Sequence, residues 1–155
     1  RGVEILASDV SRRVLAEARE GLYSEFALRN TPAYYRERYF RREGERFRLA
    51  PEIRALVEFR QINLAGPDPW APPGRFHAVF CRNVLIYFDQ AAKRRVVRRL
   101  VSALAPGGVL IVGRSETLLN VPDAPTAVRR NGTVVYQAIP GPPPGDTLFP
   151  WRSHD

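Results

Sequence analysis

A chain of 155 residues, 45% apolar and 26% charged, has the length and composition of one globular domain with a sizeable core. No apolar run approaches the ~20 residues of a membrane-spanning helix, and the opening RGVEILASD is too short and too soon charged for a signal peptide. The formal net charge of +8 favours acidic partners, or else reflects only a composition rich in arginine.

In chain order, VEILA (residues 3–7) reads as a short buried strand ending at Ser8 and Asp9. Ser11 is placed to cap the helix RRVLAEARE, and Gly21 stands where a helix ends. Residues 22–40 are aromatic and basic, and Pro32 is placed to open a short helix. Phe47 and Leu49 alternate with arginines after Gly44, and residues 57–62 alternate again. A small antiparallel insert at about 38–60 is therefore expected. The proline-rich stretch 65–74 is a loop. RFHAVFCRN is the next strand, and Asp89 is placed to cap the helix QAAKRRVVRRLVSAL. That helix carries one apolar stripe through Val96, Val97, Leu100, Val101 and Leu104, with arginines mostly opposite. Pro106, Gly107 and Gly108 end it, VLIVG is a buried strand, and residues 133–139 form a last strand after the turn pair Asn131-Gly132. The proline-rich tail, 140–155, is expected to be a linker or disordered.

Strands alternating with helices predict an α/β fold around a parallel sheet, whose ligands bind at the carboxyl ends of the strands. Those ends are Asp9, Asn63-Leu64, Cys81-Arg82-Asn83 and the run Gly113-Arg114-Ser115-Glu116. The stretch FCRNVLIYF (80–88) puts a thiol, a guanidinium and an amide between two apolar runs. Either the strand simply ends there in a turn, or its end faces a ligand. Asp9 has a similar double reading, as part of a helix cap or as a ligand carboxylate. The single cysteine excludes an internal disulfide and suits a cytoplasmic protein. With only two histidines, His77 and His154, and one cysteine, no metal site is expected.

Four segments, ILASDVSRRVLAEAREGLYS, YFRREGERFRLAPEIRALVEFRQINL, RFHAVFCRNVLIYFD and LAPGGVLIVGRSETL, occur in an order that resembles the CheR-type chemotaxis methyltransferases. The resemblance implies an α/β, Rossmann-like class I methyltransferase sheet with a small antiparallel β insert. It implies S-adenosylmethionine as cofactor, S-adenosylhomocysteine as product, and methyl transfer to glutamate carboxylates of chemoreceptors. Asp9 would take the ribose hydroxyls, as a carboxylate accepts two donors well. Asn63 and Leu64 would hold the adenine. Cys81, Arg82 and Asn83 would line the cofactor's sulfur and amino-acid side. Tyr87 would stand near the transferred methyl group, so that Tyr87 and Arg82 are the expected catalytic residues. The partners implied are the cytoplasmic methylation helices of receptors, with no metal, no nucleic acid and no membrane insertion.

The family's first strand and glycine-rich loop lie upstream of the segment that matches residues 3–9. Residues 1–139 are thus expected to be the carboxyl-terminal part of such a domain, an incomplete sheet that by itself holds the cofactor weakly. His77 stands where the family usually has aspartate, which reads as structural. The short turn RREGER predicts no dependence on a receptor tail peptide. Two rival readings are a non-catalytic binding or regulatory remnant of a signalling protein, and a nucleic-acid-binding domain built on the arginines and aromatics of 34–47. No nucleic-acid motif supports the second.

Overall fold

The computed structural model describes residues 2–67 and 75–139. The tail 140–155 and most of the proline-rich loop lie outside the described residues. Two compact units divide the chain, Arg1–Asn63 and Leu64–Asp155.

In the first unit, β1 (Ile5–Asp9) pairs in parallel with β5 (Val57–Gln61), Asp9 opposite Gln61. Between them comes α1 (Arg12–Glu20), capped at its start by the Ser11 hydroxyl, which accepts from the Val14 N–H at 3.3 Å. Gly21 ends it at φ 62°, a left-handed conformation that glycine adopts without steric cost. There follow β2 (Leu22–Ser24), α2 (Ala33–Tyr39), β3 (Phe40–Glu43), β4 (Arg46–Leu49) and the short α3 (Pro51–Arg54). The antiparallel sheet has the order β2-β4-β3. This corrects the sequence expectation for the insert: residues 57–61 belong to the parallel pair, and the third strand is 22–24. Alternation at 57–62 matched either kind of strand, and only pairing with β1 decides between them.

The second unit begins its sheet with β6 (Phe76–Cys81), which runs parallel to β7 (Leu104–Val112). They are joined by α4 (Gln90–Ser102), whose first turn is capped by the Asp89 carboxylate, 2.7 Å from the Ala92 N–H. The β8 (Thr126–Arg130) and β9 (Thr133–Gln137) hairpin, closed by Asn131 and Gly132 at positive φ, completes the order β6-β7-β9-β8. Val96, Val97 and Leu100 of α4 join Leu104, Leu110, Leu118 and Tyr136 in one buried cluster. Among the described residues no ladder joins β1-β5 to this sheet.

Candidate functional site

In the first unit, the parallel register brings the ends of β1 and β5 to one edge. The Ile62 N–H donates to the Asp9 carbonyl at 3.1 Å, so Asp9 and Asn63 emerge together. Gln61 stiffens this edge, donating to the Val10 carbonyl at 2.9 Å and accepting from Arg12 Nε at 2.9 Å. The half-buried Asp9 accepts the Ser11 N–H on Oδ1 at 2.8 Å. The helix-cap and ligand readings of Asp9 are therefore compatible. A carboxylate has about four acceptor sites, and Oδ2 accepts no hydrogen bond from a described residue.

In the second unit, Cys81 lies opposite Val112 at the ends of β6 and β7. Beyond them the chain breaks into two turns that meet at Glu116. Asn83 enters its turn at φ 59°, a left-handed conformation asparagine tolerates better than most residues. The next residues form a single 3-10 turn, Leu85–Tyr87. Leu85 points inward, 1% exposed, and Tyr87 outward, 80% exposed. Leu64 packs on the same buried cluster as Cys81 and Leu85, its carbonyl held by Arg99 Nη1 at 2.7 Å.

Glu116 is only 9% exposed, yet faces no cation among the described residues. Five backbone N–H groups satisfy it instead. Oε2 accepts from Gly113 at 2.6 Å and Asn83 at 2.7 Å. Oε1 accepts from Leu85 at 2.8 Å, Val84 at 3.1 Å and Ile86 at 3.3 Å. Burial alone would raise its pKa, but the N–H donors of Asn83, Gly113, Leu85 and Ile86 together hold it below the ordinary carboxylate range. Gly113 is required by this closeness: a Cβ there would meet Asn83 Oδ1 at 2.5 Å and Glu116 Oε2 at 2.6 Å. Cys81, 5% exposed, has its pKa pushed up to about 11 by burial and, secondarily, by the Glu116 charge. It is a neutral thiol at physiological pH, suited to wall a pocket and unsuited to act as a nucleophile. Arg82 and Arg114 are exposed and form no ion pair among the described residues.

The expected site residues thus fall in two sets, one in each unit. Asp9 and Asn63 share one strand edge, and Cys81, Arg82, Asn83 and Tyr87 share another, with Leu64 on the core beneath. The sequence placed Glu116 at a strand end but assigned it no role. The available signal was an acidic residue three positions past the glycine that closes a buried strand. Two open clefts, about 410 and 590 Å³, lie elsewhere in the first unit, one along α2 and the antiparallel sheet and one beside α3. None of the expected site residues lines either.

The model of the CheR methyltransferase SAM-binding domain matches residues 1–133. The chain belongs to this family. Chemotaxis protein methyltransferase 1 of Pseudomonas aeruginosa is 42% identical over 139 residues, which are 88% of this chain and 50% of that protein. The Escherichia coli chemotaxis protein methyltransferase is 40% identical over 118 residues, 73% of this chain and 41% of its own length. The chain thus spans about half the length of the curated relatives it matches. The solved structure of the 4+2-cyclase SpnF, at 21% identity, covers 71% of this chain and 29% of its own with a TM-score of 0.43, too slight a likeness to add to the family match. Membership assigns the α/β architecture, with its parallel pairs β1-β5 and β6-β7, to the Rossmann-like methyltransferase type. Among the described residues no group of His, Cys, Asp and Glu could hold a metal ion, and no helix is long and apolar enough to cross a membrane.

Asp9 Oδ2 in the first unit is left without a hydrogen bond from a described residue, and in the second unit the buried Cys81 stands beside the exposed Arg82.

Proposed function

We propose that this chain forms part of a methyl-transfer site that uses S-adenosylmethionine to esterify glutamate carboxylates on the cytoplasmic methylation helices of chemotaxis receptors. The observation that carries the reading is the FCRNVLIYF turn of a CheR-family chain: it sets a neutral thiol, an exposed guanidinium and an exposed tyrosine at the end of one parallel strand. Names of the relatives as chemotaxis methyltransferases support the same substrate class.

In this reading Asp9 accepts the cofactor's ribose hydroxyls, Asn63 meets the edge of its adenine and Leu64 the face. Cys81 and Asn83 line the sulfur and amino-acid side without competing as nucleophiles. When bound, the cofactor supplies a methyl group activated by a sulfonium centre. The acceptor is a glutamate carboxylate, ionised at neutral pH, so the chain needs no general base. Its task is alignment of the acceptor oxygen with the methyl carbon, together with partial removal of water from the carboxylate. Tyr87 and Arg82 are the side chains placed to do this, Tyr87 by approaching the reacting atoms and Arg82 by neutralising an arriving acid. The remaining surplus of positive charge steers an acidic helix toward the strand ends.

Incubation with methyl-labelled cofactor and a purified receptor cytoplasmic domain tests the proposal, in the 155-residue chain and in a form extended upstream of Arg1. Label is expected in base-labile methyl esters, and is expected to vanish when the receptor's methylation-site glutamates are replaced by alanine. Failure of the extended form to label the receptor would sink the reading. Label persisting on the alanine receptor would overturn the substrate class.

A further inference from the structure

The Glu116 carboxylate lies outside every role assigned above, yet it is the feature on which the two turns of the second unit converge. Its two oxygens divide the labour. Oε2 binds the strand ends, through Asn83 of the β6 side and Gly113 of the β7 side. Oε1 binds the N–H groups of Val84, Leu85 and Ile86, which lead into Tyr87. Among the described residues no other side chain is hydrogen-bonded to the backbone of 83–87. The turn is also anchored by the buried Leu85 side chain and by Val84 and Phe88, which pack against the same cluster; these apolar contacts set its depth, and the carboxylate adds the directional hold. Tyr87 follows one residue after the last clamped N–H and is itself exposed.

We propose that Glu116 is a positioning residue for methyl transfer, its carboxylate tying the turn that carries Tyr87 to the ends of β6 and β7. The proposal rests on the methyl-transfer reading above, because it acts through the tyrosine to which that reading gives a role. Alignment of acceptor and donor is the main source of rate in such a transfer, and a misplacement of about 1 Å can cost on the order of a hundredfold. Glutamine at 116 keeps the volume but offers one acceptor oxygen, and turns an N–H2 donor toward either the strand ends or the Tyr87 turn. One half of the clamp then opens without a cavity being made.

The test is a double-mutant cycle in the active form of the protein, combining Glu116→Gln with Tyr87→Phe. Glu116→Gln is expected to lower kcat roughly tenfold to a hundredfold, while the Kd for S-adenosylhomocysteine changes less than about threefold. In the Tyr87→Phe background the same substitution is expected to cost less than about threefold, since residues acting as a unit are not additive. Additive losses, or a lowered melting temperature with kcat unchanged, overturn the proposal. Should the glutamine variant not fold, Glu116→Asp, which keeps the charge but is one methylene short, takes its place in the cycle. NMR separates this outcome from a failure of the methyl-transfer reading. If the parent protein methylates no receptor, that reading falls. The positioning claim is then decided by the Tyr87 ring resonances, which are expected to shift in Glu116→Gln; ring signals unmoved while the Leu85 amide moves would refute it.

Discussion

Asn83, Gly113 and Glu116 each make a demand that the other two meet. Asn83 turns its backbone into the left-handed region, which aims its N–H at the Glu116 carboxylate. Gly113 lets the two strand ends approach closer than any side chain would allow. Alanine at 113 is therefore expected to destabilise the protein by about 1–3 kcal/mol, since the added methyl displaces hydrogen-bonded groups rather than the loose end of a flexible chain. Urea denaturation measures it, and a loss within error would show that the turn relaxes freely. The polar residues of this edge were legible in the sequence because each interrupts an apolar run. The use of Glu116 was not, because its partners are main-chain N–H groups, which every residue but proline possesses and no spacing rule reveals.

At the scale of elements, the segment between β7 and β8 looks irregular but is held at two levels. Glu116 fixes its start, and the buried Tyr136 hydroxyl of β9 accepts the Leu118 N–H at 2.9 Å. Phenylalanine at 136 keeps the packing but leaves a buried N–H unpaired, at an expected cost of about 1–3 kcal/mol. Thermal unfolding of Tyr136→Phe checks this, and an unchanged melting temperature would count against the bond. The helices α1 and α4 and the strands β1, β6 and β9 follow the sequence expectations to within a few residues, since caps and apolar periodicity are local signals; β7 instead starts at Leu104, so that Pro106, Gly107 and Gly108, expected to end the helix, lie inside the strand. Among the strands, two were not legible. The strand β8 begins after Pro125 and carries an arginine on each face, as an edge strand is free to do. The strand β2 has three residues and exists only because β4 pairs with it.

For the whole molecule, the shifted pKa values of Glu116 and Cys81 predict stability that falls toward both ends of the pH range. Glu116 has a depressed pKa in the folded state, so its contribution is complete above the unfolded carboxyl value of ~4.3 and is lost as pH falls through the folded value. Cys81 has the opposite sign. Its pKa rises from 9.0 to about 11, so stability is full below the lower value and declines between the two. That difference corresponds to at most about 2–3 kcal/mol. Urea titrations from pH 3 to 11 are expected to show both slopes, the acid one flattened in Glu116→Gln and the alkaline one in Cys81→Ala. An alkaline slope identical in Cys81→Ala would remove the thiol as its cause. At this scale the family itself was legible, because four segments carry it in order. The division into two units was not, because it depends on which strands find a hydrogen-bonding partner.

The five-donor clamp also restricts the routes by which this edge can change. Replacing Glu116 strands buried N–H groups, adding a side chain at Gly113 meets the carboxylate, and a β-branched residue at Asn83 resists the left-handed turn. Each single step is penalised while the other two residues stand. Change at this edge is therefore expected to be tolerated only when all three residues change together, which constrains its shape more than its chemistry.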